Sequence, residues 1–374
     1  MTRAAEEMRR NCSLGDQKRD AGLTTPAYIR RYNDIVYGED RDWNVLDVYR
    51  NRYLSGKLPV IMIVHGGGWV YGSKEVYQWY GIELAKRGFA VVNYSYRLAP
   101  ENKFPASLQD SLKAAGWIME HSGEYGFDTD HIFAVGDSAG GNLLGLLCAY
   151  LYNEDYRKQF DFPVPAGIFG EESRRRGPVS RGDAGTRKGF RIRAIGMNCG
   201  AYQLFDRDGH VDRPDDREFM RDLLVREEDP ETGAGAEASG EEVKDRSAGA
   251  EANGEEVKDR STGAEAAGED VRDGSTGRKL ADIARKYVDV AARVNADFPP
   301  AYIMTCRGDF LKEQAPLLKD AYDRAGAEAE LHVFGTEEKP LYHVFHCTVT
   351  EPEGQKCNDE ECDFFRKHMA PGQV

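Results

Sequence analysis

The sequence lacks any long hydrophobic run. No apolar stretch approaches the roughly 18 residues that a membrane-spanning helix needs. Positive charge is also scarce, with 50 Lys and Arg residues against 64 Asp and Glu and a formal net charge of −14. Such an acidic chain is poorly suited to general binding of nucleic-acid phosphates. The sequence therefore predicts a protein with no membrane span and no nucleic-acid partner.

Cysteine is infrequent and odd in number, with 7 in 374 residues. The scattered positions do not form a disulfide framework, and the closest pair, Cys357 and Cys362, matches no common zinc spacing. We therefore expect free thiols and no metal site. Residues 1–20 mix Arg, Glu and Lys without the apolar segment of a signal peptide, which predicts a cytoplasmic location.

Large aliphatic residues are almost absent from residues 229–277. Three 14-residue units, Gly235–Ala248, Gly249–Thr262 and Gly263–Thr276, each begin Gly-Ala-Glu-Ala and contain one valine. Fourteen Asp and Glu against five Lys and Arg give residues 229–277 a charge of −9. One valine per unit cannot offset the entropy lost on ordering, so we predict a disordered acidic insert. A basic polar stretch at 171–191 is predicted to be a loop.

The rest of the chain is rich enough in apolar residues for a core, at 40% hydrophobic and 10% aromatic overall. Continuous apolar runs of strand length are typical of strands buried on both faces of a parallel sheet. Strands are predicted at 59–64, 89–94, 131–135, 192–197, 301–306 and 330–334, and helices at 76–87, 104–121, 139–152 and 312–325. Residues 32–37 and 44–49 alternate loosely, as an antiparallel edge pair would. This order predicts an α/β fold, a mostly parallel sheet with helices on both faces.

The first motif whose residues could carry out a reaction is Gly-Asp-Ser-Ala-Gly at residues 136–140, which follows a predicted strand and begins a predicted helix. A turn this sharp needs small residues on both sides of Ser138. It would raise the serine hydroxyl above the sheet and place it at a helix N-terminus, where backbone N–H groups face the reacting centre. We therefore predict that Ser138 is a nucleophile.

A second motif, His-Gly-Gly-Gly-Trp at residues 65–69, follows the predicted strand 59–64. Three glycines let the backbone approach a substrate closely and turn N–H groups towards an oxyanion. A phosphate-binding loop is the alternative, but no Lys-Ser or Lys-Thr pair follows. His65 precedes the serine and belongs to the glycine loop, so we expect it to brace that loop rather than act as a base.

A serine nucleophile needs a base and a carboxylate that orients it. Asp309 follows a predicted strand, at the carboxyl end where chemistry collects in open α/β sheets. His343 and His346 lie after the last predicted strand, and their position makes either one a candidate base. His332 lies inside a strand and His368 in what reads as a charged C-terminal tail, so both are poorly placed.

Four further segments accompany these motifs: Tyr-Arg-Leu-Ala-Pro-Glu at 96–101, Phe-Pro-Ala at 104–106, Asp-Phe-Leu at 309–311 and His-Val-Phe at 343–345. In this order the set resembles the hormone-sensitive-lipase-like branch of the α/β-hydrolase superfamily, the bacterial esterase/lipase group.

The resemblance implies a catalytic triad of Ser138, His343 and Asp309. Its usual His-x-Phe context favours His343 over His346. It also implies an oxyanion hole formed by the N–H groups of Gly66, Gly67 and Ala139.

The activity implied is that of a serine carboxylesterase acting through an acyl-enzyme, with no cofactor or metal. Its substrates would be small short-acyl esters, acetylated sugars or aryl esters among them. An amidase or formamidase could use the same triad. A non-catalytic ligand receptor on this fold is the remaining alternative, although such receptors typically lack the catalytic histidine.

The resemblance also implies a division of the chain. The α/β-hydrolase core would comprise residues 26–199 and 296–374, and residues 200–295 would form a helical cap insertion that contains the acidic repeats. Residues 1–25 would be an N-terminal cap segment or a tail. One departure is Gln314, which stands where the family commonly has a second acidic residue.

Overall fold

The computed structural model describes residues 2–170, 189–204, 221–224 and 282–369. The acidic repeats, with the predicted disorder at 229–277, lie outside the described residues, as does most of the stretch at 171–191. An eight-stranded sheet organises the described part of the chain. Its strands are β1 (Ile29–Val36), β2 (Val45–Asn51), β3 (Leu58–Val64), β4 (Ala90–Tyr94), β5 (Phe127–Asp137), β6 (Ile192–Asn198), β7 (Ala301–Cys306) and β8 (Ala329–Phe334).

The strand order is β1-β2-β4-β3-β5-β6-β7-β8. Strand β2 is antiparallel to both β1 and β4, and every later pairing is parallel. The predicted antiparallel edge pair and mostly parallel sheet are therefore confirmed. The central strands β3 and β4 are almost wholly buried, as their continuous apolar sequences predict.

Helices cover both faces of this sheet. They are α1 (Arg3–Asp20), α2 (Gln78–Lys86), α3 (Ala106–Glu120), α4 (Ser122–Tyr125), α5 (Ala139–Tyr152), α6 (Glu154–Arg157), α7 (Gln314–Ala325) and α8 (Pro352–Lys367). Helices α3, α5 and α7 contribute to one buried apolar cluster, and α2 and α8 contribute to the other. Among these helices, none combines the length and apolar character needed to cross a bilayer.

Two helices were not among those predicted. Residues 3–20, part of the segment 1–25 predicted as a cap segment or a tail, form α1, which begins with the Thr2 side chain accepting the N–H of Ala5. Helix α8 replaces the predicted charged tail, and His368 lies directly after it, with Nδ1 hydrogen-bonded to the carbonyl of Phe364. Apolar positions in α8 are few and include cysteines, so its buried stripe is inconspicuous in the sequence.

The loops after the parallel strands meet at one edge of the sheet, and the backbone there is unusual. Trp69, Ser138, Cys199 and Val344 have φ values of 63°, 53°, 46° and 55°. Side chains other than glycine rarely adopt this left-handed region, and such strain concentrates at functional sites. This edge is therefore where a site is to be sought.

Candidate active site

The turn between β5 and α5 presents the predicted nucleophile. Ser138 has φ 53° and ψ −123° and stands immediately before the first residue of the helix. A Cβ atom at Gly136 would lie 2.5 Å from the carbonyl oxygen of Gly140, and one at Gly140 would collide with the carbonyl of Val64. Both glycines are thus required by the close approach of chain segments. The N–H of Ala139, at the start of α5, has no intrahelical acceptor.

The two triad partners predicted downstream lie in direct contact. Nδ1 of His343 donates to Oδ1 of Asp309 at 2.7 Å. The carboxylate also accepts the N–H of Leu311 at 2.9 Å and the hydroxyl of Thr305 at 3.1 Å. The Asp309 side chain is fully buried, whereas that of His343 is 19% exposed. This pairing fixes the imidazole tautomer and leaves Nε2 as the acceptor for a proton.

Electrostatics keep Asp309 ionised. Burial raises the pKa of this carboxyl, but the hydrogen bond and charge of His343, with the N–H of Leu311, outweigh burial and lower it below its usual value. Ser138, Asp309 and His343 all follow the carboxyl ends of parallel strands, so the three residues lie along one edge of the sheet.

His346, the other candidate base, lies in a different environment. It is fully buried, its ring packs edge-on against Tyr80 at 4.9 Å, and its Nε2 lies 3.5 Å from Sγ of Cys347. Burial lowers its pKa to about 3. Of the two candidate bases, His343 contacts the Asp309 carboxylate, whereas His346 is surrounded by core residues.

The glycine loop requires a correction to the predicted oxyanion donors. The N–H of Gly66 donates to Oη of Tyr77 at 2.9 Å, and that hydroxyl donates to Oδ2 of Asp137 at 2.6 Å. Gly66 is therefore already paired. Within the described residues, no hydrogen-bond partner is found for the N–H groups of Gly67 and Gly68. Nothing in the spacing of the sequence marked Tyr77.

The predicted bracing of this loop by His65 is supported by its contacts. Its Nδ1 lies 2.9 Å from the carbonyl oxygen of Gly66, and its ring stacks on Tyr96 at 4.0 Å. The hydroxyl of Tyr96 donates to the carbonyl of His65 at 2.8 Å. Burial lowers the pKa of His65 to about 4, so the ring is neutral at pH 7. Arg97, the residue after Tyr96, forms a bidentate ion pair with the buried Asp110.

Two amide side chains hold the loop after β6. Nδ2 of Asn142 donates to the carbonyls of Ala201 and Val288, both at 2.8 Å. Oε1 of Gln314 accepts the N–H of Tyr202 at 2.9 Å and that of the following residue at 2.7 Å. The neutral amide oxygen of Gln314 thus accepts both N–H groups at the position where the family that this chain resembles commonly has an acidic residue.

Aromatic surface flanks the histidine. The ring of Phe310 lies 4.3 Å from that of His343 and remains 53% exposed. Tyr342, which precedes the histidine, is 68% exposed. Exposed aromatic side chains beside a reacting group offer an apolar contact to a bound molecule.

Comparisons with known proteins agree with this arrangement. The BD-FAE family model matches residues 46–173, which include the glycine loop and the Ser138 turn. LipM of Mycobacterium tuberculosis, a probable carboxylic ester hydrolase, is 36% identical over 154 residues, covering 37% of this chain and 36% of LipM. Esterase LipC of the same organism is 34% identical over 139 residues, covering 36% of this chain and 33% of LipC. The chain thus matches about a third of the length of each of these curated relatives.

Solved structures extend the likeness to nearly the whole chain. Esterase B of Lactobacillus rhamnosis, inhibited by a C6-C4 SN3 compound, superposes with a TM-score of 0.70 at 19% identity, covering 97% of this chain and 95% of the esterase. The thermophilic carboxylesterase EstE1 from a metagenomic library gives a TM-score of 0.61 at 19% identity, covering 98% of each chain.

The architecture shared with these structures is the α/β-hydrolase fold. The esterase relatives confirm the predicted resemblance to its hormone-sensitive-lipase-like branch.

Proposed function

We propose that this protein is a serine carboxylesterase with a triad of Ser138, His343 and Asp309. The observation that carries the proposal is the 2.7 Å hydrogen bond from His343 to a buried, ionised Asp309, at the sheet edge that also carries the strained Ser138 turn. The named activities of LipM and LipC support the same reaction. A purely ligand-binding role is disfavoured because the histidine is present and correctly paired.

In this mechanism Nε2 of His343 takes the proton of Ser138 as the serine oxygen attacks the ester carbonyl. Asp309 stabilises the imidazolium that results. The histidine then gives the proton to the departing alcohol oxygen, which leaves an acyl-enzyme. Water, deprotonated by the same histidine, attacks the acyl group and restores the serine.

Backbone N–H groups hold the negative charge that develops on the carbonyl oxygen. Ala139 at the start of α5 and Gly67 in the glycine loop are the proposed donors. The N–H of Gly66, predicted as a third donor, is paired with Tyr77, and that of Gly68 takes its place in the proposal. Preorganised donors of this kind are a large part of catalysis in acyl transfer.

The substrate class follows from the surroundings of the base. The leaving alcohol must lie against His343, and the exposed ring of Phe310 lies 4.3 Å from that imidazole. An apolar or aryl alcohol fits this contact. A short acyl group remains the expectation from the family resemblance.

A cap assembled from α1 and residues 200–295 completes the proposal. Arg9 of α1 donates to the carbonyls of Val70 at 2.6 Å and Ala99 at 2.9 Å, which ties the helix to the glycine loop. The hydroxyl of Thr2 donates to Asp222 at 2.7 Å. Helix α1 therefore bridges the loop and the insertion, as a cap segment would.

The test is hydrolysis of p-nitrophenyl esters of increasing acyl length by the protein and by Ser138→Ala. Removing a triad nucleophile lowers turnover by on the order of 10⁶ in a well-studied protease. Ser122→Ala, whose hydroxyl only donates to the carbonyl of Met119, is the matched control and should keep full activity. A Ser138→Ala protein within about tenfold of the parent rules out the serine mechanism.

Pairing each ester with its matching amide in the same assay separates an esterase from an amidase or formamidase. Faster turnover of the amide would assign the amidase activity to the same triad.

A further inference from the structure

Two thiols surround the acid of the proposed triad. Cys199 follows β6, Cys306 ends β7, and Asp309 lies three residues beyond. Their sulfur and carboxylate atoms all lie within 4.8 Å of one another. The three residues are buried, at 1%, 0% and 3% exposure. The proposed mechanism uses the carboxylate but neither thiol.

The backbone holds these side chains together. The N–H of Cys199 donates to the carbonyl of Met304 at 2.7 Å, and that of Asp309 donates to the carbonyl of Cys306 at 3.0 Å. Cys199 also occupies the left-handed region at φ 46°, which a glycine would adopt without strain. A thiol is nevertheless present there, on the side of the sheet edge that carries the triad acid.

The ligand set and its spacing match those of a soft divalent cation. Zinc binds thiolate sulfur at about 2.3 Å and carboxylate oxygen at about 2.0–2.2 Å, usually in a tetrahedron. Those bond lengths place neighbouring ligand atoms roughly 3.5–3.8 Å apart, so small side-chain rotations would bring this cluster onto one ion. Thiolate ligands select zinc-like ions over magnesium and calcium.

We propose that Cys199, Cys306 and Asp309 form a binding site for Zn²⁺ or a similarly soft divalent cation, and that its occupancy inhibits the enzyme. Each thiol releases its proton to solvent on binding, and two thiolates with one carboxylate then hold the divalent ion in a site of net charge about −1. A carboxylate bound to the cation no longer supports the imidazolium of His343. Metal binding and catalysis therefore exclude each other.

The binding half of this inference stands on the geometry alone, and the inhibitory half rests on the proposed function. Binding is tested with the full chain and Cd²⁺, whose thiolate complexes absorb in the ultraviolet. One equivalent of cadmium per chain should produce this absorption, and Cys199→Ala and Cys306→Ala should each lose it. Cys12→Ala, a partly exposed thiol, and Cys362→Ala, a buried thiol in α8, should retain it.

Ser138→Ala should also retain the full absorption, which shows that the ion does not bind at the nucleophile and keeps this test independent of esterase activity. Absence of the absorption in the parent, or its persistence in both Cys199→Ala and Cys306→Ala, overturns the site.

Inhibition is then measured with Zn²⁺ on ester hydrolysis. The concentration giving half inhibition should rise at least about tenfold in Cys199→Ser and Cys306→Ser, the scale expected when a metal ligand is lost or disturbed. These isosteric variants should hydrolyse the ester without zinc, which reports that they fold. Unchanged zinc sensitivity in both variants, despite lost cadmium absorption, overturns the inhibitory role.

Discussion

Two buried carboxyl groups, one in the loop after β7 and one in α8, have pKa values that are shifted in opposite directions. Asp309, at the edge of the sheet that carries the proposed triad, bonds to His343, and its pKa is lowered. Glu361, in α8 beneath the sheet, accepts from Oη of Tyr80 at 2.6 Å and from Nδ2 of Asn198 at 2.8 Å. Burial raises the pKa of Glu361 to about 7 in spite of these bonds.

The difference lies in the partner. Neutral donors satisfy the oxygens of Glu361, but they do not offset the cost of burying a charge. For Asp309, an imidazole that can become positively charged offsets this cost. Of these two carboxyl groups, only Asp309 can therefore support a base that takes up a proton during the reaction.

The largest effect is expected from removing the partner. His343→Ala should lower turnover by about 10⁴-fold or more, the scale of losing the general base in a serine hydrolase. It should also raise the pKa of Asp309, because the main group that lowers it is gone. Steady-state hydrolysis of p-nitrophenyl esters measures the first effect.

His346→Ala is the control for this change. It removes a buried ring that packs on Tyr80, so it should reduce stability more than turnover. A reversal of the two effects would assign the base to His346.

Neutral replacements test the two carboxyl groups directly. Asp309→Asn should lower turnover by about 10⁴-fold at neutral pH, the loss found for the same change in a Ser-His-Asp protease. Glu361→Gln should leave turnover within a few-fold, because its carboxyl bonds to Tyr80 and Asn198 rather than to the proposed base. A large kinetic loss in Glu361→Gln would contradict the assignment of roles.

Stability should change in opposite directions. Because the pKa of Glu361 is raised, the folded state loses stability as pH rises from about 4.5 to about 7. Glu361→Gln should therefore stabilise the protein at pH 8 by about 1–3 kcal/mol. At pH 4 the same substitution should bring no such gain. The lowered pKa of Asp309 means that its contribution is present at neutral pH and lost in acid, so Asp309→Asn should destabilise at pH 8. Urea unfolding at the two pH values measures both.

A third buried carboxyl group, that of Asp137, is expected to have a smaller influence on turnover than Asp309. Its link to the glycine loop runs through the hydroxyl of Tyr77. Tyr77→Phe should lower kcat about tenfold with KM nearly unchanged, less than the loss of a direct oxyanion donor. Binding of a boronate transition-state analogue should weaken in proportion, whereas Tyr53→Phe, on the surface, should change neither. A change in KM alone would show that Tyr77 does not position the oxyanion loop.

The sequence predicted those candidate site residues that are marked by local patterns. Ser138 was marked by its glycines and His343 by its motif, and the carboxyl end of a strand marked Asp309. The Tyr77 hydrogen bond was not predictable, because it joins residues 11 and 60 positions away through the fold. The family resemblance implied Gly66 as an oxyanion donor, and the hydrogen bond from its N–H to Tyr77 is a contact that only the fold brings about.

The smallest effect is expected from shortening the acidic repeats. From their composition we predict that replacing residues 235–276 with a short Gly-Ser linker changes activity on a small ester by no more than a few-fold. Each doubling of a flexible loop costs only about 0.6 kcal/mol in closure entropy. Loss of all activity in the shortened protein, measured beside a length-matched Gly-Ser replacement, would assign the repeats a part in the cap.

The anchoring of the chain on either side of these repeats bears on how the protein can change over generations. Leu223 accepts the N–H of Phe104 at 2.8 Å before them, and Val288 accepts from Asn142 after them. Both attachments hold independently of how many units lie between. Slippage during replication that adds or removes whole units therefore alters the length of the gene without altering the reading frame or these attachments. Lineages carrying different copy numbers can then share one proposed active site.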